Sequence, residues 1–245
     1  MHDYILYSLI TLVLSVIFSM GGAGAGIALI PILSFLGFDF NVAKAVGLFA
    51  GASTTITSSI MNIKRKVVDY KFVFPLAVAM LIFAPLGAYA SSFIDEKIVK
   101  FLFMLMLFYS ATMMMFGKKK ALFNAESIYM LFIVGSSIGF LSGLLGVGGG
   151  NILIPLLLLI GYEPKKVAVA VSFVVPFSAL SSFFTYASYV PLDWVMLLVV
   201  ALSAIVGGYI GNYMMHFKLK QSHIKKVMAL LLYLLALKLL WHFIA

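Results

Sequence analysis

Leu144-Leu145-Gly146-Val147-Gly148-Gly149-Gly150-Asn151-Ile152-Leu153-Ile154-Pro155 places four glycines within five residues between two apolar runs. Glycine costs about 1 kcal/mol relative to alanine at an interior helix position, so the cluster ends one helix before another begins. An earlier stretch, Met20-Gly21-Gly22-Ala23-Gly24-Ala25-Gly26-Ile27-Ala28-Leu29-Ile30-Pro31, has the same form. Gly22 and Gly146, Gly24 and Gly148, and Pro31 and Pro155 are each 124 residues apart, about half of the 245-residue chain. The same spacing relates Gly37 to Gly161, Asp39 to Glu163, Asp69 to Asp193, Gly87 to Gly211 and Tyr89 to Tyr213. Between them, Val42–Gly47 matches Val167–Ser172 at 125, which reads as one inserted residue. The chain is therefore two copies of one unit, each carrying a broken helix.

Composition fixes the solvent. The chain is 64% hydrophobic and 10% charged, with a mean hydropathy of +1.15, where soluble domains average about 45–50% apolar and about 25% charged. A soluble core cannot absorb that much apolar surface. Eight apolar segments follow, 5–36, 43–61, 72–92, 98–116, 127–160, 167–187, 194–215 and 224–244; most approach the ~20 residues that a spanning helix needs. The expected fold is an all-α integral membrane protein of two inverted repeats, each a glycine-broken re-entrant hairpin plus three transmembrane helices. Residues 1–117 form the first repeat, 118–126 a cytoplasmic connector and 127–245 the second repeat.

The net charge of +9 does not point to nucleic acid, because the cations sit in short loops between apolar segments. They read instead as topology signals. If both glycine breaks are hairpins, Lys64, Arg65, Lys66, Lys71, Lys118, Lys119, Lys120, Lys165, Lys166, Lys218, Lys220, Lys225 and Lys226 lie inside, 13 in all, against Lys44, Lys97 and Lys100 outside. If both breaks are single crossings, seven lie inside and nine outside. The positive-inside bias selects hairpins, cytoplasmic Lys-rich loops and both termini outside. An odd number of crossings per repeat then inverts the second copy, a recurring plan of secondary transporters.

Irregular backbone at membrane depth survives only where protein or a watery cavity satisfies it. The short helices beginning near Ile27 and Asn151 aim free N–H groups and partial positive charge at the breaks, which suits an anion. The candidate substrate-binding residues are Gly22, Gly24, Gly26, Gly146, Gly148, Gly149, Gly150 and Asn151. The i, i+4 hydroxyl pairs Ser53/Thr57 and Ser178/Ser182 are candidate lining, with back-bonding or interhelical hydrogen bonding as the alternative. Gly207, Gly208 and Gly211 read as packing glycines.

Enzyme chemistry has no support. Cysteine is absent, His2, His216, His223 and His242 are scattered, and no nucleotide-gripping G-x-x-x-x-G-K-[ST] pattern occurs. No catalytic residue, cofactor or metal is expected. Asp39, Glu163, Asp69 and Asp193 fall at segment ends and read as caps. Lys44 and Lys238 are the two cations placed within apolar sequence.

The paired glycine breaks, each followed by a proline (Pro31 or Pro155), a Gly-aromatic-acidic turn and then Asp69-Tyr70 or Asp193-Trp194, resemble the sulfite and organosulfonate exporter family (TauE/SafE) across nearly the whole chain. Ala23 and Ala25 interrupt the glycines of the first copy. The resemblance implies a cell-membrane permease that exports small sulfur-containing anions such as sulfite or organosulfonates. The expected mechanism is alternating access, with the anion held at the two breaks near the bilayer midplane. Partners are the anion and the lipid bilayer, with no nucleic acid; a homodimer is compatible with this reading. Two alternatives stay open, an ion channel with a glycine-loop filter and a transporter of another small organic or inorganic anion.

Overall fold

The computed structural model describes residues 2–116, 128–159, 161–217 and 221–244. The connector 118–126, with Lys118 to Lys120, and the cations Lys218 and Lys220 lie outside the described residues. Ten α-helices occur among the described residues: α1 (His2–Met20), α2 (Gly26–Phe35), α3 (Phe40–Lys64), α4 (Tyr70–Ala90), α5 (Glu96–Phe116), α6 (Ile128–Leu145), α7 (Gly150–Leu159), α8 (Pro164–Ala187), α9 (Trp194–Phe217) and α10 (Gln221–Ile244). Both glycine clusters are breaks, as expected. Six helices (α1, α4, α5, α6, α8 and α9) are long and apolar enough to cross a membrane. The outward faces carry Phe74, Leu198, Leu202 and Trp241, all more than 60% exposed, as lipid-facing side chains should be.

Helix α3 is long enough to span but richer in hydroxyls. It sits inside the bundle, against α1, α2, α8 and α9, with 15 of its 25 residues buried. Its hydroxyls find local acceptors: Thr54 donates to the Ala50 carbonyl, Thr55 to Gly51 and Ser58 to Thr54. Helix α8 crosses α3 antiparallel at the centre. Phe49 stacks near Phe183 with centroids 4.8 Å apart, and ten residues along α3 Ser59 donates to the Ser172 carbonyl at 2.7 Å.

The two halves pack by exchange. Helix α1 lies along α9 and α6 along α4; α3 meets α8 and α5 meets α10; α4 also touches α8 as α9 touches α3; α2 reaches α10 as α7 reaches α5. Swapping each helix for its mate in the other half leaves this scheme unchanged. Close approaches between helices use small residues. Gly135, Gly139 and Gly143 line α6 against Leu76 to Ala84 of α4, while Gly207 and Gly211 of α9 meet Leu12, Ser15 and Val16 of α1. Lipid tails are as apolar as leucine, so such close backbone packing, not burial from water, holds helices together here.

Each broken helix turns back. Ser15 and Ser19 of α1 bond Thr54 and Ser58 of α3 in parallel order. Helix α2 then runs the other way, with Gly24 against Gly51, Gly26 against Gly47, and its end followed by Phe38, whose ring meets Tyr7 of α1 at 5.4 Å. Entry and exit of this hairpin therefore share a side. In the second half Tyr186 of α8 reaches the end of α6, Ser178 reaches Gly148, and Gly150 meets Val175 and Val171. Matched helix ends make the turns. Gly22 (φ +83°) and Gly146 (φ +75°) close α1 and α6 with paired bonds, Ala23 N to Phe18 O with Gly22 N to Ser19 O, and Val147 N to Ser142 O with Gly146 N to Gly143 O. This is the Schellman arrangement, which needs a left-handed residue at that place.

Candidate substrate site at the paired helix breaks

The breaks meet in the interior. Every residue from Met20 to Pro31 and from Ser142 to Asn151 is buried. A β-carbon on Gly150 would stand 3.7 Å from the Cα of Ala23. Gly22, Gly24, Gly26, Gly146, Gly148, Gly149, Gly150 and Asn151 therefore belong to two adjoining segments.

The helices that start there begin without the carboxylate caps of α3, α4 and α9. Asp39, Asp69 and Asp193 cap α3, α4 and α9, each accepting backbone N–H bonds with its carboxylate; Glu163 makes no such bond and is followed by Pro164. Helix α2 is preceded by Ala25, which offers no side-chain cap, and α7 by Gly149, which has no side chain. A buried helix start without capping side chains leaves its first N–H groups facing whatever occupies the break. Two more buried polar atoms lack partners in this region, Asn151 Oδ1 and Ser182 Oγ.

The two breaks are not equal. Gly148 and Gly149 both have positive φ, at +71° and +80°. Ala25, in register with Gly149, is right-handed at φ −63°. A β-carbon makes the left-handed form costly, so alanine in the first copy keeps that break closer to helix.

The hydroxyl pairs separate. Ser178 donates to Gly148 O at 2.7 Å, and Ser182 lies one turn further along the same face of α8. Ser53 and Thr57 instead donate to Phe49 O and Ser53 O, four residues back. They line a groove of about 490 Å³ with Ile205 and Tyr209 of α9.

Two polar clusters flank the breaks, and sequence reasoning passed over most of their members. At one end Lys44, 1% exposed, donates from Nζ to Ser91 Oγ at 2.8 Å. Its ammonium lies 4.6 Å from the Tyr186 ring centroid, and its stem packs on Gly146. Tyr186 donates its hydroxyl to Gly143 O and Leu144 O at 2.9 and 3.0 Å. At the other end Asn62 donates to Ser172 Oγ at 2.9 Å, meets His216 Nε2 at 2.9 Å and accepts from Asn212; Arg65 also donates to Asn212. Asn62 and Tyr186 are themselves 124 residues apart, so the offset was the signal that could have found both. The contacts also revise the 125-residue match near Lys44. Gly22 packs on Ala168 as Gly146 packs on Lys44, so Lys44 and Ala168 are mates at 124 and no insertion is needed there. Lys238, by contrast, is exposed, with Nζ over the Phe35 ring at 4.3 Å.

Exposed apolar helices around a buried core with two broken helices define a multi-pass integral membrane protein. Comparison with known proteins makes the class specific. The family profile described as sulfite exporter TauE/SafE matches residues 7–239, and the chain belongs to that family of membrane transporters. A probable membrane transporter protein of Methanocaldococcus jannaschii is 31% identical over 185 residues, spanning 71% of this chain and 68% of the relative. The probable membrane transporter protein YunE of Bacillus subtilis is 25% identical, over 98% of each chain.

Proposed function

We propose that the protein exports small sulfur-containing anions, sulfite or organosulfonates, by alternating access, with the anion held between the two glycine breaks. The observation that carries this reading is the meeting of Ala23 with Gly150, because it points two uncapped helix starts at one place. Backbone N–H groups there, the amide of Asn151 and the hydroxyls of Ser178 and Ser182 would hold the oxygens of a pyramidal head group. Diffuse donors suit an oxyanion and need no metal or cofactor. Ser53 and Thr57, on the α9 side of α3, would line the path instead of the bound anion. Residues 1–117 and 127–245 act as the two repeats, inverted in the membrane, with the Lys-rich loops cytoplasmic and both termini outside. Rocking one half against the other exposes the site to each side in turn.

Flux into proteoliposomes tests this. Saturable uptake of sulfite or a sulfonate is expected from the purified protein. Large unitary cation currents would instead favour a channel whose glycine carbonyls select cations.

A further inference from the structure

Among the described residues, the buried cation Lys44 forms no ion pair with a carboxylate. Among the described residues the nearby acids are otherwise engaged: Asp39 accepts the amides of Asn41 and Val42, and Glu96 pairs with Lys100. Lys100 itself lies over the far reach of the same cluster, 5.2 Å from the Phe40 ring that Lys44 also approaches at 5.2 Å. Of the three N–H donors of an ammonium, one serves Ser91, and the nitrogen lies 4.6 and 5.2 Å from the ring centroids of Tyr186 and Phe40. A buried charge is retained where something pairs with it. The Lys44 stem borders the second break, and its Nζ lies beside Tyr186, which bonds the end of α6. Gly146 rests on its stem, and Ser182, wholly buried with an unpartnered hydroxyl, lies on the α8 face between Ser178 and Tyr186. The mate of Lys44 in the other half is Ala168, so the first break has no equivalent charge.

We propose that Lys44 supplies the positive charge of the anion site, so that the site takes one negative charge, at the second break only, and favours monoanionic heads such as a sulfonate over a dianion such as sulfate. This rests on the anion-carrier reading above and names the group that reads the charge. Tyr186 and Phe40 hold the ammonium while the site is closed. When the anion enters, two oxygens take the free N–H donors and Ser182 donates to the third. A second negative charge would find no partner at Ala168 and would stay buried and uncompensated, which the low-polarity interior penalises.

The test is binding of methanesulfonate and sulfate to the full-length protein in detergent, by calorimetry, for wild type, Lys44→Met and Lys44→Arg, with size-exclusion profiles as the check on folding. A hydrogen bond to a charged group contributes about 1.5–3 kcal/mol, so Lys44→Met should weaken methanesulfonate at least about tenfold, and Lys44→Arg less. Wild type should prefer methanesulfonate over sulfate by about tenfold or more. That preference is read on the unmodified protein, so a variant that fails to fold does not remove the test. Methanesulfonate binding unchanged in a folded Lys44→Met, or equal or tighter binding of sulfate by wild type, would overturn the role of Lys44 and leave anion carriage standing. Wild type that binds neither of these anions, nor sulfite in the same assay, would overturn both.

Discussion

Ala23 and Gly150 approach each other across the two halves: a β-carbon added to Gly150 would stand 3.7 Å from the Cα of Ala23. Neither residue has chemistry of its own. Their contact matters because each is the tip of a broken helix, and it brings two buried backbone interruptions to one place. A protein that needed only tight packing could achieve it with continuous helices carrying small residues, as α6 does on α4. Breaking two helices in lipid leaves N–H and C=O groups to be satisfied, at a cost of several kcal/mol for each that is not.

The conformation of Gly149 is therefore a first point of test. At φ +80° it sits where a β-branched residue is strained by about 1–2 kcal/mol. The nearest obstruction to a side chain there is the Met80 methyl, which can swing aside. Gly149→Val should insert and purify normally yet lose at least about tenfold in anion flux, since distortion at the tip misplaces the first amides of α7. Ala25→Gly is the counterpart in the first break. Ala25 precedes α2 with right-handed dihedrals, and glycine is the better residue before a helix, so stability should be unchanged or slightly raised. Normal flux in Gly149→Val would mean that the tip is packing only.

Much of this was legible in the sequence because glycine and proline act locally. Gly22, Gly37, Gly146 and Gly161 have backbone dihedrals that other residues avoid, and each marks a helix end that could be read without neighbours. The 124-residue offset relates helices that exchange partners in the packing. What the sequence did not show was which side chains face the breaks. Ser53 and Ser178 looked alike as hydroxyls within apolar helices, but Ser178 lies toward Gly148 and Ser53 toward α9. Their rotation about the helix axis depends on which partner each helix meets. Lys44 was visible as a cation in an apolar run. Its contact with Gly146 is a long-range consequence of the exchange packing, and no local pattern encodes it.

Two further glycines separate backbone strain from steric room. Gly37 has φ +93° and nothing within 4 Å of an added β-carbon, so Gly37→Ala should cost about 1 kcal/mol, from conformation alone. Gly143 is helical, and a β-carbon there would run into the Ala84 carbonyl of α4. Gly143→Leu must push α4 and α6 apart and should cost about 1–3 kcal/mol or more. Thermal melting in detergent should rank the two clearly. Equal losses would mean that the α4–α6 contact is not as close as described.

The Asn62 cluster offers a test of coupling between α3, α8 and α9. Asn62→Leu removes the amide that donates to Ser172 Oγ and meets His216 Nε2 and Asn212, and each such hydrogen bond contributes about 0.5–1.5 kcal/mol. Removing Ser172 as well, by Ser172→Ala, should cost less than the sum of the single changes, with a coupling of about 0.5–3 kcal/mol in a double-mutant cycle. Additive losses would show that the two side chains do not share a bond.

The loop pair of Asp69 with Lys166, at 2.9 Å between Oδ2 and Nζ, ties the start of α4 to that of α8 and gives a pH-dependent signature. The hydrogen bond from Lys166, then its charge and the Phe72 amide, hold the Asp69 carboxyl below its usual 3.8, against the opposing effect of desolvation. A carboxyl depressed in the folded state binds its proton less readily there than when unfolded. Its stabilising contribution is therefore complete above pH 3.8 and fades as the pH falls through the lower folded value. Both side chains are more than 40% exposed, so solvent screening limits the contribution to about 0–1 kcal/mol. Asp69→Asn keeps a capping side chain for α4 and removes the charge. The melting temperature of wild type should exceed that of Asp69→Asn by a small, constant margin from pH 5 to 8. That margin should shrink in 1 M salt, where the screening length falls to about 3 Å, and should close as the pH drops below 4. A margin that persists under acid would assign the effect to capping geometry and not to the ion pair.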